Sequence, residues 1–153
     1  MNSLKFTCGK WVHGMADVTF EDYTIEVQSK IADAIEPALE ECAGEVISRT
    51  KRNSRVDTGK TKSSFQYKVI GSIFAGEYRA YMGSNDENSI WEEFGTGEYA
   101  LQGNGRKDGW TYKDEKGDWH YTTGKKPSRA FWKAYTSLKN KIIKRLQNSL
   151  KGL

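Results

Sequence analysis

At 153 residues, with 37% hydrophobic and 12% aromatic side chains, the chain is long enough for one domain with its own core. A mean hydropathy of −0.76 is low for a free-standing globule, and no apolar run approaches the length of a membrane span. The formal net charge of +4 hides an asymmetry. From Lys125 onward there are nine basic residues and no acid, whereas between Asp17 and Ser48 nine acids face only Lys30. Such a split favours self-complementary packing or assembly as readily as nucleic acid. The chain does not open on a charged start, an apolar stretch and a small-residue cleavage pattern, so the expected origin is the cytosol.

Residues 1–16 read as a poorly specified leader in which Phe6, Trp11 and Val12 could form a short strand; Met15 could itself be the start. Residues 17–153 read as a single domain, opened by a brief strand-like run from Asp17 to Phe20. A helix follows. Ile31, Ile35, Leu39, Cys42 and Val46 recur every three or four residues, and Ile25, Val27 and Ala38 widen that stripe. Pro37 interrupts it, and because the pattern resumes beyond, a kink is expected there. Thr50 to Gly59 turns the chain. Phe65, Tyr67 and Val69 alternate as a strand, Gly71 to Gly76 turns, and Tyr78, Ala80 and Met82 return antiparallel. After the polar loop Gly83–Asn88, Ile90, Trp91 and Phe94 fit a short core-packed helix, with Ser89 as N-cap and Gly95 as a left-handed C-cap.

Gly95, Gly97, Gly103, Gly105 and Gly109 then leave the backbone free, at an entropic cost that compact domains avoid. Beyond them, Trp110 and Tyr112, then Trp119 and Tyr121, alternate with polar residues around Asp114–Asp118, where Gly117 can take a positive φ. This is a hairpin expected to carry its aromatics on one face. Residues 97–126 therefore read as a flexible arm that orders against a partner. Pro127 and Ser128 open the last helix, whose stripe is Phe131, Ala134, Leu138, Ile142, Leu146 and Leu150. The expected architecture is α+β: a small antiparallel sheet packed by two long amphipathic helices, with the glycine-rich loop and hairpin projecting.

No catalytic or metal constellation assembles from these residues. His13 and His120 are the only histidines. Glu92 and Glu93 are adjacent and so point in different directions on a helix. Asp86 and Glu87 lack the spacing of a calcium loop. Gly103-Asn-Gly-Arg-Lys lacks a phosphate cradle's flanking strand and helix. Ser63 and Ser64 have no recognisable base, and Cys8 and Cys42 read as isolated thiols rather than a disulfide. The expectation is a non-enzymatic protein without cofactor or metal. The strongest remaining signal is the basic last helix, where Lys133, Lys139, Lys144 and Arg145 could contact DNA phosphates or a neighbouring subunit. The acidic first helix, through Glu26, Glu36, Glu40 and Glu45, is expected to face it, within one chain or between chains.

Four stretches together resemble a known family: Arg55-Val-Asp-Thr-Gly-Lys-Thr-Lys-Ser-Ser-Phe, Ile90-Trp-Glu-Glu-Phe-Gly-Thr-Gly, Gly109-Trp through His120-Tyr-Thr-Thr-Gly, and Lys126-Pro-Ser-Arg-Ala-Phe-Trp-Lys-Ala. The family is that of the tail components of long-tailed double-stranded-DNA bacteriophages and prophages, the neck or tail-completion proteins that join head to tail. The motif positions are Asp57, Thr58, Gly59, Ser63, Glu93, Phe94, Gly95, Thr96, Gly97, Gly124, Pro127 and Phe131. Thr61 stands where the family usually has an apolar residue. The resemblance implies a structural virion protein, assembled in the host bacterial cytoplasm, that forms a homo-oligomeric ring with a hexamer favoured. Its implied partners are head-connector and tail-terminator or tail-tube proteins, with phage DNA possible in the lumen, no membrane and no catalysis.

Overall fold

The computed structural model describes residues 21–55, 59–72, 75–114 and 116–151. The expected leader, the strand-like run 17–20, Cys8, Asp57 and Thr58 lie outside the described residues. The elements run α1 (Thr24–Asn53), α2 (Lys60–Ser64), β1 (Phe65–Ser72), β2 (Glu77–Ser84), α3 (Asn88–Phe94), a 3-10 turn (Gly97–Tyr99), β3 (Trp110–Lys113), β4 (Trp119–Thr122) and α4 (Ala130–Leu150). The fold is α+β.

Helix α1 is the central element. Asp22 opens it by accepting the Thr24 amide on Oδ1 at 2.9 Å, and hydrogen bonds from the Thr24 side chain and amide hold the Asp22 carboxyl below its usual range. Lys51 and Arg52 in the last turn complement the helix dipole. Ser54 closes it, donating both its amide and its hydroxyl to the Thr50 carbonyl. The helix runs without a break through Pro37, which sits on its exposed side. One face of α1 packs against α4 and another against the β1–β2 hairpin. That layout corrects one expectation: α4 buries its stripe chiefly on α1, not on the sheet.

The core is narrow because the seam is built from small residues. The buried apolar residues are Ala32, Ala38, Cys42, Ala43, Val46 and Ile47 of α1, Ala130, Ala134 and Leu138 of α4, and Phe65 at the start of β1. Alanines carry little side-chain surface, so each removes little apolar area from water. Thr50 is fully buried and satisfies its hydroxyl on the Val46 carbonyl at 2.8 Å. Burial also raises the Cys42 thiol above its ordinary pKa. Ile25 and Val27, read as widening the core stripe, are 74% and 52% exposed instead. They lie before the point where α4 and the sheet cover α1.

β1 and β2 pair antiparallel from Phe65↔Ser84 to Ser72↔Glu77. The alternation expected on β2 is present: Tyr78, Ala80 and Met82 are half-buried, and the residues between them are exposed. Tyr67 projects from β1 toward Gly44 of α1, where a Cβ would lie 3.7 Å from the Tyr67 ring, an ordinary contact distance. Gly44 therefore holds a helix-interior position without a steric reason. Gly44→Ala is expected to stabilise the fold by about 0.5–1 kcal/mol, read as a rise in thermal midpoint of about 2–4 °C per kcal/mol. A lowered midpoint would contradict this packing of α1 on the sheet.

Candidate functional site

The motif residues that the structure brings together form a clasp between residues 92–98 and 123–132. Helix α4 begins at Ala130, two residues later than expected, because Arg129 takes a left-handed conformation (φ 53°, ψ 40°). Arg129 stands at the N-cap position but offers no acceptor, so the first amides of α4 need one from elsewhere. Glu93 supplies it from α3. Its Oε2 accepts the Phe131 N–H and its Oε1 the Trp132 N–H, each at 2.9 Å. A carboxylate at a helix N-terminus also meets the positive end of the helix dipole.

The neighbouring residues tighten the same junction. The Glu92 carbonyl accepts both the amide and the hydroxyl of Ser128, at 2.7 and 3.0 Å, while the Glu92 carboxylate pairs with Lys125. Adjacent carboxylates do diverge here, one to an ammonium and one to a helix terminus. Thr96 and Lys125 exchange two bonds: the Thr96 amide donates to the Lys125 carbonyl at 3.0 Å, and the Lys125 amide to the Thr96 hydroxyl at 2.9 Å. The Glu98 amide reaches the Thr123 carbonyl at 3.0 Å. Helix α1 joins as well, with Asn53 Nδ2 donating to the Ala130 carbonyl at 3.3 Å and Arg55 to that of Lys126 at 3.1 Å.

Gly95 is where this junction is tightest. Its amide closes α3 on the Trp91 carbonyl at 2.9 Å, with φ 76° and ψ 173°. The φ is positive as expected, but the ψ is extended, so the residue sits in a region open essentially to glycine alone rather than in the left-handed helical well. A Cβ there would come within 2.8 Å of Pro127 Cδ and of the Tyr99 carbonyl oxygen. Gly97, Gly105 and Gly124 are likewise packed against backbone, of Thr123, Gly97 and Thr96 in turn, whereas Gly103 faces open space. Most of the glycines read as backbone freedom are thus points of close approach.

Helix α3 itself departs from expectation. It starts at Asn88 with Glu87 at the cap position, so Ser89 lies inside it. None of its residues is buried: Ile90, Trp91 and Phe94 are 56%, 54% and 45% exposed. With Leu101 and Trp110 they line an open groove of about 760 Å³, with Arg106 at its edge.

The hairpin forms where expected, with a different register. β3 and β4 pair as Trp110↔Thr122, Thr111↔Tyr121, Tyr112↔His120 and Lys113↔Trp119. Trp110 and Tyr112 therefore share one face with His120, whose ring lies 5.5 Å from that of Tyr112. Trp119 and Tyr121 occupy the opposite face, 71% and 67% exposed. The aromatics are split between the two faces, not gathered on one. Asp114 organises the five-residue turn, accepting the Asp118 amide at 2.8 Å and facing His120 Nε2 at 3.0 Å; these bonds hold its carboxyl below the usual range.

Of the charged candidates, Arg145 reaches Glu41 at 3.2 Å and Glu45 at 3.4 Å, and Lys141 reaches Glu45 at 2.7 Å. The Lys141 hydrogen bond holds the Glu45 carboxyl below its usual range. The helices thus meet through Glu41, Glu45, Lys141 and Arg145, only two of which had been singled out. Glu26 pairs with Lys30 on its own helix. Asp33, Glu36 and Glu40 on α1, and Lys133, Lys139 and Lys144 on α4, are exposed and form no ion pair among the described residues. Gly59 precedes α2 at φ 80°, and the exposed Ser63 bonds back to the Lys60 carbonyl.

Among the described residues, no group of three or more His, Cys, Asp or Glu is placed to hold a metal ion, and no helix is long and apolar enough to cross a membrane. Comparison of the chain with family models, with curated proteins and with solved structures finds no match.

Replacing Gly95 by valine adds a β-branched side chain at a glycine-only backbone position between Pro127 and two carbonyls. The variant is expected to lose at least about 2 kcal/mol of stability, seen as a lowered thermal midpoint. An unchanged midpoint would remove the clasp's steric argument.

Proposed function

We propose that this chain is a structural, non-enzymatic component of a phage or prophage neck or tail, acting as a homo-oligomeric ring that completes the tail and joins it to the head connector. The observation that carries the reading is the uncompensated charge left after the two long helices have paired. Asp33, Glu36 and Glu40 lie three and four residues apart and so share one exposed face of α1. Lys133, Lys139 and Lys144 are exposed on α4 and form no ion pair among the described residues, with Lys133 and Lys144 sharing one face of the helix and Lys139 on another. Two different surfaces of opposite sign on one chain suit a head-to-tail contact, and head-to-tail contacts form a ring when the rotation between copies closes. The resemblance of the four sequence motifs to neck and tail-completion proteins adds the virion setting, with head-connector and tail-tube or tail-terminator proteins as partners.

A second reading rests on the same lysines. Exposed bases without acidic partners would also serve a non-specific DNA contact, in a ring lumen or alone. The two readings separate on one variant. An exposed ion pair contributes only about 0–1 kcal/mol, but the contact is repeated at every interface of a ring. The double reversal Lys139→Glu, Lys144→Glu is expected to reduce the assembled species in sedimentation velocity while leaving the far-ultraviolet circular dichroism unchanged. Wild-type assembly should weaken as salt shortens the Debye length to about 3 Å at 1 M. Normal assembly of the reversed variant, with loss only of DNA retardation, would overturn the charge-paired ring and favour the DNA reading.

A further inference from the structure

Among the described residues, none occupies the groove beside the clasp. Its walls are Ile90, Trp91 and Phe94 of α3, Leu101 of the following loop and Trp110 of β3. Four of these side chains, all but Trp110, are about half exposed. A contiguous apolar surface of this kind on a soluble domain marks an interaction site. Arg106 stands at its edge without an ion partner among the described residues. The walls lack the convergent, buried polar groups that orient a small molecule, so the fitting occupant is a set of bulky apolar side chains with an acidic neighbour.

The same chain carries such a set. Trp119 and Tyr121 project from the hairpin face opposite Trp110, and they are among its most exposed aromatics. Asp118 adjoins Trp119, and its carboxylate has no partner among the described residues. Because the register puts these aromatics on the far side of the ribbon from Trp110, a chain cannot lay this hairpin face into its own groove. A second copy can. The geometry points to a contact in which the Trp119–Tyr121 face of one subunit's hairpin docks into the Trp91–Phe94–Leu101 groove of the next, with Asp118 meeting Arg106. Trp, Tyr and Arg are the residues that dominate binding energy at the centre of interfaces. The two surfaces differ, so the contact is head-to-tail like the ring to which it belongs. It rests on the self-association proposed above and adds the site.

Disulfide trapping tests it in the full chain. Lys113 shares the outward face with Trp119, and Gln102 lines the groove. Lys113→Cys and Gln102→Cys are placed in separate chains on a Cys8→Ser background, mixed and oxidised. The expected result is a covalent dimer in the mixed sample, absent when Ser48→Cys replaces Gln102→Cys. Arg106→Glu should lower the assembled fraction several-fold, and combining it with Asp118→Arg should restore it. Assembled species without the cross-link, including a groove filled by a different protein, would overturn this contact and leave the ring standing. Absence of any assembled species would overturn both.

Discussion

The carboxylate of Glu93 on the first amides of α4 is the interaction on which the rest of this structure depends. A helix start left without acceptors in a partly buried setting costs free energy for each unsatisfied donor, and α4 has no local remedy because Arg129 occupies the cap position. The acceptor comes from 38 residues earlier, carried by a short helix whose own end is fixed by Gly95. Around that bond, Glu92, Thr96 and Glu98 tie down Ser128, Lys125 and Thr123. The segment between, including the hairpin, is thereby closed at its base. Asn53 and Arg55 add the end of α1 to the same junction, so one clasp sets the start of α4, the end of α1 and the root of the hairpin.

The arrangement has a consequence for the surface. A clasp made of backbone and polar side-chain bonds leaves the apolar side chains of α3 exposed. The alanine-rich seam between α1 and α4 likewise buries little beyond Val46, Ile47 and Leu138. Trp132, Tyr135, Ile143 and Leu150 stand along α4 at 37–51% exposure. A partner that covered this aromatic surface would add stability by mass action, which is the physical sense in which the proposed assembly suits the fold.

Much of the fold was legible in the sequence. The 3.6-residue period gave both long helices, and alternation gave the β1–β2 pair and each strand of the second hairpin. What period alone does not encode is the relation between elements. The five-residue turn Asp114–Asp118 is odd, so it places Trp119 opposite Lys113 and turns the second aromatic pair to the other face; a turn of four or six residues would have gathered them. An apolar stripe identifies which side of α3 is sticky but not what covers it, and among the described residues nothing does. The cap of α4 was hidden for the same reason: a Ser or Asp at the cap position announces itself locally, whereas Glu93 acts across a fold. The glycines carried an ambiguous signal, since freedom and close approach require the same missing Cβ. Only the backbone atoms beside Gly97, Gly105 and Gly124 decide between them.

The measurement that bears most directly on the clasp is residue-resolved amide hydrogen exchange of the wild-type chain and of Glu93→Ala. The predicted result is strong protection at Phe131 and Trp132 in the wild type. In the variant that protection falls by about 5- to 30-fold, as loss of roughly 1–2 kcal/mol of capping requires, while Ala134 to Leu138 retain theirs. Equal exchange at Phe131 and Trp132 in the two proteins would contradict the account.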